Sequence, residues 1–184
     1  LVVFTHSCKF SSTKKYNIIL IIPDALRARQ LPYYGYPAIE TPMIDAFAKE
    51  SVRFEQCYVK RANTYSSFSN LFSGLEFPKD GLLAGEKTMA EFFKEEGYRT
   101  MGVVSSSILW SSEQEKGRIK NQFSRGFDDY FQDTSLKKYP YCRKNEPTTK
   151  DILDWLEANK KRKTPFFLFA HYMDPHAPYK PSYD

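Results

Sequence analysis

The sequence predicts an α/β fold, a mainly parallel sheet sandwiched between helices. Three observations carry that expectation. Residues 16–22 are apolar at nearly every position, as a central strand covered on both faces must be. Strand-like and helix-like segments then alternate along the chain, a pattern that produces parallel strands joined by crossover helices. Finally, 41% of the residues are hydrophobic and 16% aromatic, enough side chain to build a core and too much for a disordered chain.

The elements follow in order. The first strand ends at Pro23, which leaves Asp24 at its C-terminal end, where open α/β sheets bind ligands. A loop rich in Tyr, Gly and Pro spans 31–38. Thr41-Pro42 then reads as an N-cap with Pro at the first helical position. That helix puts Met43, Ile44, Phe47 and Ala48 on one face and stops near Ser51. Residues 52–59 alternate Val52, Phe54, Gln56 and Tyr58 with charged or polar neighbours, which predicts a half-buried strand. Residues 64–74 predict a helix stopped by Gly74. Thr88-Met89-Ala90-Glu91 has the form of a capping box for a helix reaching about Glu96. Gly97 ends it and leads to a strand over 100–105. The stretch 106–133 is polar and irregular. A second capping pattern, Thr148 to Asp151, predicts a helix with Ile152, Leu153, Trp155 and Leu156 on its apolar side. Pro165 introduces a last strand over 166–170, followed by a polar loop over 171–180.

The length of 184 residues suits one domain, read here as a lead-in over 1–15 and a domain over 16–184. Net charge is +5 and the isoelectric point about 9.0, which suits an anionic substrate. The Lys and Arg residues are spread along the chain, and no pattern of stacked aromatic and basic strand positions accompanies them, so a nucleic-acid partner is not expected. The run Lys160 to Lys163 follows a predicted helix and reads as its solvated C-terminus, favoured by the helix dipole. Three widely spaced cysteines, Cys8, Cys57 and Cys142, form neither a disulfide framework nor a zinc ribbon. They favour a reduced compartment and leave one disulfide with one free thiol open. No apolar run is long enough to span a bilayer. The chain opens Leu-Val-Val-Phe, which predicts an internal start and leaves room for a leader or membrane anchor outside it. The compartment, cytoplasmic or extracytoplasmic and membrane-anchored, stays undecided.

Reactive side chains gather at strand ends, which share one edge in a parallel sheet. Asp24 suits a divalent cation, or a turn after Pro23. Thr64 opens a helix, where the N-terminus attracts anions; its hydroxyl reads either as a metal-activated nucleophile or as a plain cap. His171 and His176 follow a buried strand and suit metal or oxyanion binding, or one structural and one exposed histidine.

Taken in order, these segments resemble the sulfatase-like family of the alkaline phosphatase superfamily. Asn17 to Ile22 with Pro23-Asp24-Ala25-Leu26-Arg27 is similar to its opening strand and metal-binding turn. Tyr34-Gly35-Tyr36-Pro37, Thr41-Pro42-Met43-Ile44-Asp45 and Val52-Arg53-Phe54 match the stretch that follows. Thr64, Ser66, Ser67, Ser69 and the closing Leu71-Phe72-Ser73-Gly74-Leu75 resemble its nucleophile helix. Gly126-Phe127-Asp128 resembles a later signature, and Asp174-Pro175-His176-Ala177-Pro178-Tyr179 the loop that presents a substrate-binding histidine. The resemblance implies an alkaline phosphatase-like fold, with Asp24 and Thr64 as metal ligands and Thr64 as nucleophile. It implies His176 as a ligand of substrate oxygen, His171 in a supporting role, and a divalent ion: Zn, Mn, Mg or Ca. In the family an Asp-His pair and usually a further His complete the metal site from the C-terminal half. The resemblance thus implies a missing C-terminal segment of the same polypeptide as partner.

Departures from the pattern bear on the substrate. Sulfatases proper carry Cys or Ser at the nucleophile position, followed by a Pro and an Arg that direct its conversion to formylglycine. Here the stretch is Thr64-Tyr65-Ser66-Ser67-Phe68, and Thr cannot form that aldehyde. Ala25 stands where sulfatases have a second Asp, and Asp80 of the turn Pro78-Lys79-Asp80-Gly81 stands where they often place His. An unmodified Thr resembles the phosphotransferase and phosphodiesterase branches. The expectation is therefore a metal-dependent hydrolase or transferase of phosphoesters acting on an anionic ester. The alternatives are a sulfatase of the same fold working without formylglycine, and a non-catalytic binding domain that lost the site.

Overall fold

The computed structural model describes residues 14–76, 86–110, 123–133 and 143–177. Most of the lead-in, Cys8, Cys142, the turn 78–81 and Pro178-Tyr179 lie outside them. Among the described residues four parallel strands form one sheet in the order β1-β4-β2-β3: β1 is Ile18–Pro23, β2 Arg99–Val104, β3 Asp129–Phe131 and β4 Phe166–Tyr172. The helices are α1 (Pro42–Lys49), α2 (Thr64–Ser73), α3 (Met89–Glu95) and α4 (Asn145–Asn159). The predicted α/β class holds.

Each face of the sheet has its own core. Alternation in β4 sends Phe167 and Phe169 to one side, where they meet Phe68 and Phe72 of α2, Phe127 and Phe123. Leu168 and Ala170 point the other way, against Trp155 of α4, Met101 and Val103. Aromatic pairs fill the first core edge to face, as between Phe72 and Phe169 at 5.0 Å, a geometry that suits the ring quadrupoles. Strand β1 contributes Ile18, Leu20 and Ile22 to that core. Its opposite side chains, Ile19 and Ile21, are 52% and 57% exposed, because α4 covers β2 and β4 and does not reach the sheet edge. The apolar face of α1 is also open, with Phe47 75% exposed.

Most local signals act as read. The capping box at α3 is complete: Thr88 Oγ1 accepts from the Glu91 N–H at 3.0 Å and Glu91 Oε2 from the Thr88 N–H at 2.8 Å. Gly74 and Gly97 end their helices with φ of 70° and 81°. Three expectations need correction. Residues 52–59 form no strand. Alternation stabilises a strand only beside a partner, and here Arg53 instead lies over Tyr33 and Tyr34, at 5.1 and 5.5 Å from the ring centres. Helix α4 begins three residues before Thr148, which is not a cap. It is buried, sharing a hydrogen bond with Ser105 at 3.0 Å and donating to the Lys144 carbonyl. The third is a short strand, β3, within the stretch read as irregular.

Glu91 also ties α3 to the loop before β3. Arg125 grips it with Nε on Oε1 and Nη2 on Oε2, both at 2.9 Å. Burial works to raise the Glu91 pKa, but the Arg125 and Thr88 contacts outweigh it and hold the carboxyl below its ordinary 4.5. A depressed carboxyl stabilises the fold above its unfolded value, and that contribution is lost as pH falls through the folded one. Arg125→Gln is thus expected to lower stability at pH 7, with the gap to wild type closing as pH falls below 4.5. Denaturant titrations at a series of pH values measure it.

Candidate active site

The site is built where β1, β4 and α2 meet. Strand β1 leaves the sheet at Pro23, and the Asp24 N–H donates to the Tyr172 carbonyl at the end of β4 at 2.7 Å. Ala25 then turns the chain with φ of +60°, a left-handed conformation that costs an Ala about 1–2 kcal/mol. Strain of this kind persists where the surroundings enforce it, often beside functional groups.

Helix α2 brings the hydroxyl. Its cap is Asn63, whose Oδ1 accepts from the Ser66 N–H at 2.9 Å; Thr64 is the first helical residue. The capping reading of Thr64 therefore falls, and its hydroxyl is turned to another use. Oγ1 donates to Asp24 Oδ2 at 3.1 Å, across 40 positions of sequence. Phe68 and Phe72, one and two turns along, anchor the helix in the core and fix where Thr64 stands.

His171 is the third member. Paired in register with Ile22, it faces α2, is 0% exposed, and packs its ring edge-on to Phe68 at 5.2 Å. Its Nε2 lies 3.3 Å from the same Asp24 Oδ2. The resemblance implied only a supporting role for His171, and the strand read over 166–170 left it in the following loop, whereas β4 runs on to Tyr172 and holds it in the sheet. The signal for its contact with Asp24 was its position as the lone polar residue on the inward face of an apolar strand.

His176 sits in the turn beyond β4, its N–H donating to the Met173 carbonyl at 2.9 Å and its Nδ1 lying 2.7 Å from the Ala177 carbonyl. It makes no described hydrogen bond to Asp24 or Thr64, yet its charge acts on Asp24. At the start of α4 the local cap, Lys144, supplies no side-chain hydrogen bond. Burial raises the Asp174 pKa above its ordinary 3.8.

Burial would likewise raise the pKa of Asp24. The hydrogen bond and electrostatic pull of His171, the Thr64 hydroxyl and the electrostatic pull of His176 outweigh it, so the carboxyl is held below its ordinary 3.8. At neutral pH it is an anion, with the Thr64 hydroxyl beside it. Two such oxygens fit part of the shell of a hard or borderline divalent ion. Among the described residues no group of three or more His, Cys, Asp or Glu side chains gathers.

Fold and site together define an α/β domain with a carboxylate and a helix-borne hydroxyl at the C-terminal edge of a parallel sheet. The chain belongs to the sulfatase family, whose model matches residues 16–184. It is similar to an ulvan-active sulfatase of Formosa agariphila, 28% identical over 90% of this chain and 36% of that protein. A structure solved with its substrate D-glucosamine-2-N,6-O-disulfate superposes with a TM-score of 0.71 at 22% identity, covering 91% of this chain and 36% of the other. The zinc complex of the C-terminal periplasmic domain of EcEptC from Escherichia coli does so with a TM-score of 0.66 at 18% identity, over 95% and 48%. Such likeness confirms the alkaline phosphatase-like fold. The chain spans about a third of the length of the sulfatase it matches and about half of the EcEptC domain.

Proposed function

We propose that this domain belongs to a metal-dependent enzyme that transfers or hydrolyses phosphoesters through Thr64. One observation carries the reading: the Thr64 hydroxyl, relieved of capping by Asn63, lies 3.1 Å from an ionised Asp24 at the start of a helix. Asp24 and Thr64 would hold a divalent ion, which when bound lowers the pKa of the hydroxyl and screens charge on the transferring group. Thr64 Oγ1 gives up its proton to solvent water and attacks phosphorus in line. The bond to the leaving oxygen breaks as the bond to Oγ1 forms, giving a phosphothreonine. The positive end of α2 favours the anion bound there. His176 holds a non-bridging oxygen or the leaving group. Water or an acceptor alcohol then attacks phosphorus, and Thr64 regains its proton.

The sulfatase reading remains the second. It is favoured by the family match and by the ulvan-active relative, and opposed by a Thr that cannot become formylglycine. The complete protein assayed on bis(p-nitrophenyl) phosphate and on p-nitrophenyl sulfate separates the two. Turnover of the phosphodiester, abolished by EDTA and restored by Zn or Mn, is expected. Turnover of the sulfate alone would replace the proposal with the second reading. Turnover of neither ester, with any of Zn, Mn, Mg or Ca, would favour a binding domain.

A further inference from the structure

Among the described residues two hydrogen bonds reach the Asp24 carboxylate, from Thr64 Oγ1 and from His171, and both fall on one oxygen, Oδ2. A carboxylate gripped twice on one oxygen cannot rotate freely, and its Oδ1 is held in a fixed direction. The His171 ring that provides one of these grips is itself fixed. Its backbone is paired on both sides, to Ile22 of β1 and Val104 of β2, and Phe68 stands edge-on against the ring.

The other ring nitrogen, Nδ1, is enclosed and has no hydrogen-bond partner among the described residues. A bare acceptor tolerates that position better than an N–H, which would be a buried donor left unmade. The ring hydrogen therefore belongs on Nε2, pointing at Asp24. Histidines that ligate metals are commonly oriented by a carboxylate behind them. Here the order is reversed, with a buried histidine behind the carboxylate.

We infer that His171 is a positioning residue, which donates Nε2–H to Asp24 Oδ2 and so directs Asp24 Oδ1 to a divalent ion. The inference rests on the metal-dependent reading above. His171 touches neither substrate nor ion. It fixes the direction of one ligand, and through the shared Oδ2 also the place of the Thr64 hydroxyl.

The test uses the complete protein and zinc. His171→Leu keeps the volume and loses the donor, whereas His171→Gln keeps an N–H near the position of Nε2. Zinc affinity is measured by competition with a chromogenic chelator. His171→Leu is expected to weaken binding about 10–100-fold, the usual effect of losing an outer-shell partner. His171→Gln should stay within about threefold of wild type, and the kcat of the two should follow the same order. A merely structural role would not rank them so, since an apolar side chain suits this core at least as well as Gln. Equal zinc affinity in wild type and His171→Leu overturns the inference and leaves the proposed function standing. No zinc, manganese, magnesium or calcium bound by wild type overturns both. If His171→Leu fails to fold, nitrogen-15 NMR of labelled histidine in the wild-type protein decides. The Nε2–H form supports the inference, and the Nδ1–H form overturns it.

Discussion

Thr64→Ala in the complete protein is expected to lower kcat at least about 10³-fold while leaving the fold intact, given the scale of loss when a nucleophile is removed. The two halves of that expectation have separate grounds. Activity falls because the proposed mechanism has no other group to take the transferring phosphoryl. Stability holds because Thr64 is not the cap: Asn63 satisfies the Ser66 N–H, and Ala is the better helix former. The structural loss is one hydrogen bond to the Asp24 carboxylate, worth about 1.5–3 kcal/mol. Thr64→Ser, which keeps a hydroxyl on the same carbon, should recover a substantial part of the rate. Comparison of kcat with thermal unfolding for both variants makes the check. An alanine variant as active as wild type would end the nucleophile assignment, and one that unfolds would show that Thr64 is structural.

The largest effect on stability is expected at Gly126. Its φ is +89°, and a Cβ there would lie 2.2 Å from the Glu91 nitrogen and 2.7 Å from the Ala90 carbonyl carbon. These are backbone atoms of α3, which cannot swing aside as a side chain would. The carbonyl of Gly126 is held as well, accepting from Thr100 Oγ1 at 2.7 Å, and the neighbouring Arg125 carbonyl accepts from Thr88 Oγ1 at 2.9 Å. Relief of the clash must therefore break the joint between α3, β2 and the loop. Gly126→Ala is expected to cost about 4 kcal/mol or more, at the far end of the range for single substitutions. Gly97→Ala is the control. It shares the positive φ of 81° but would meet nothing within 4 Å, so its cost is about 1 kcal/mol. Chemical denaturation of both variants separates conformational strain from steric exclusion. Equal losses would mean that the approach of Gly126 to α3 has been misjudged.

The contrast between those glycines also marks what the sequence could disclose. Gly97 was legible as a helix stop from its neighbours alone. The need for Gly at 126 lies in the approach of a helix more than thirty positions away, which no local pattern carries. The same division runs through the rest of the chain. Strands β1, β2 and β4 and helices α2 and α3 were legible because their apolar periods and caps are local. The false strand at 52–59 had the right alternation without a neighbouring strand to use it. The early start of α4 escaped because Thr148 has a capping residue's chemistry and spends it on Ser105. At the site, the types and order of Asp24, Thr64 and His176 suggested chemistry. The part of His171 depends on register, since it faces Asp24 only because β4 lies beside β1.

That adjacency bears on how the molecule assembles. Strand β4 is the last of the four in sequence and the second in the sheet, lying between β1 and β2. Until it emerges from the ribosome, β1 has no described strand to pair with, although β2 and β3 can already join each other. The contact between Asp24 and His171 closes a loop of 147 positions, and such distant closures come late and slow a folding chain. Insertion of β4 thus joins the four described strands and brings His171 to Asp24 in one event. Any chain arrested before Phe166 keeps Asp24 and Thr64 in its sequence and lacks the strand that brings His171 beside Asp24.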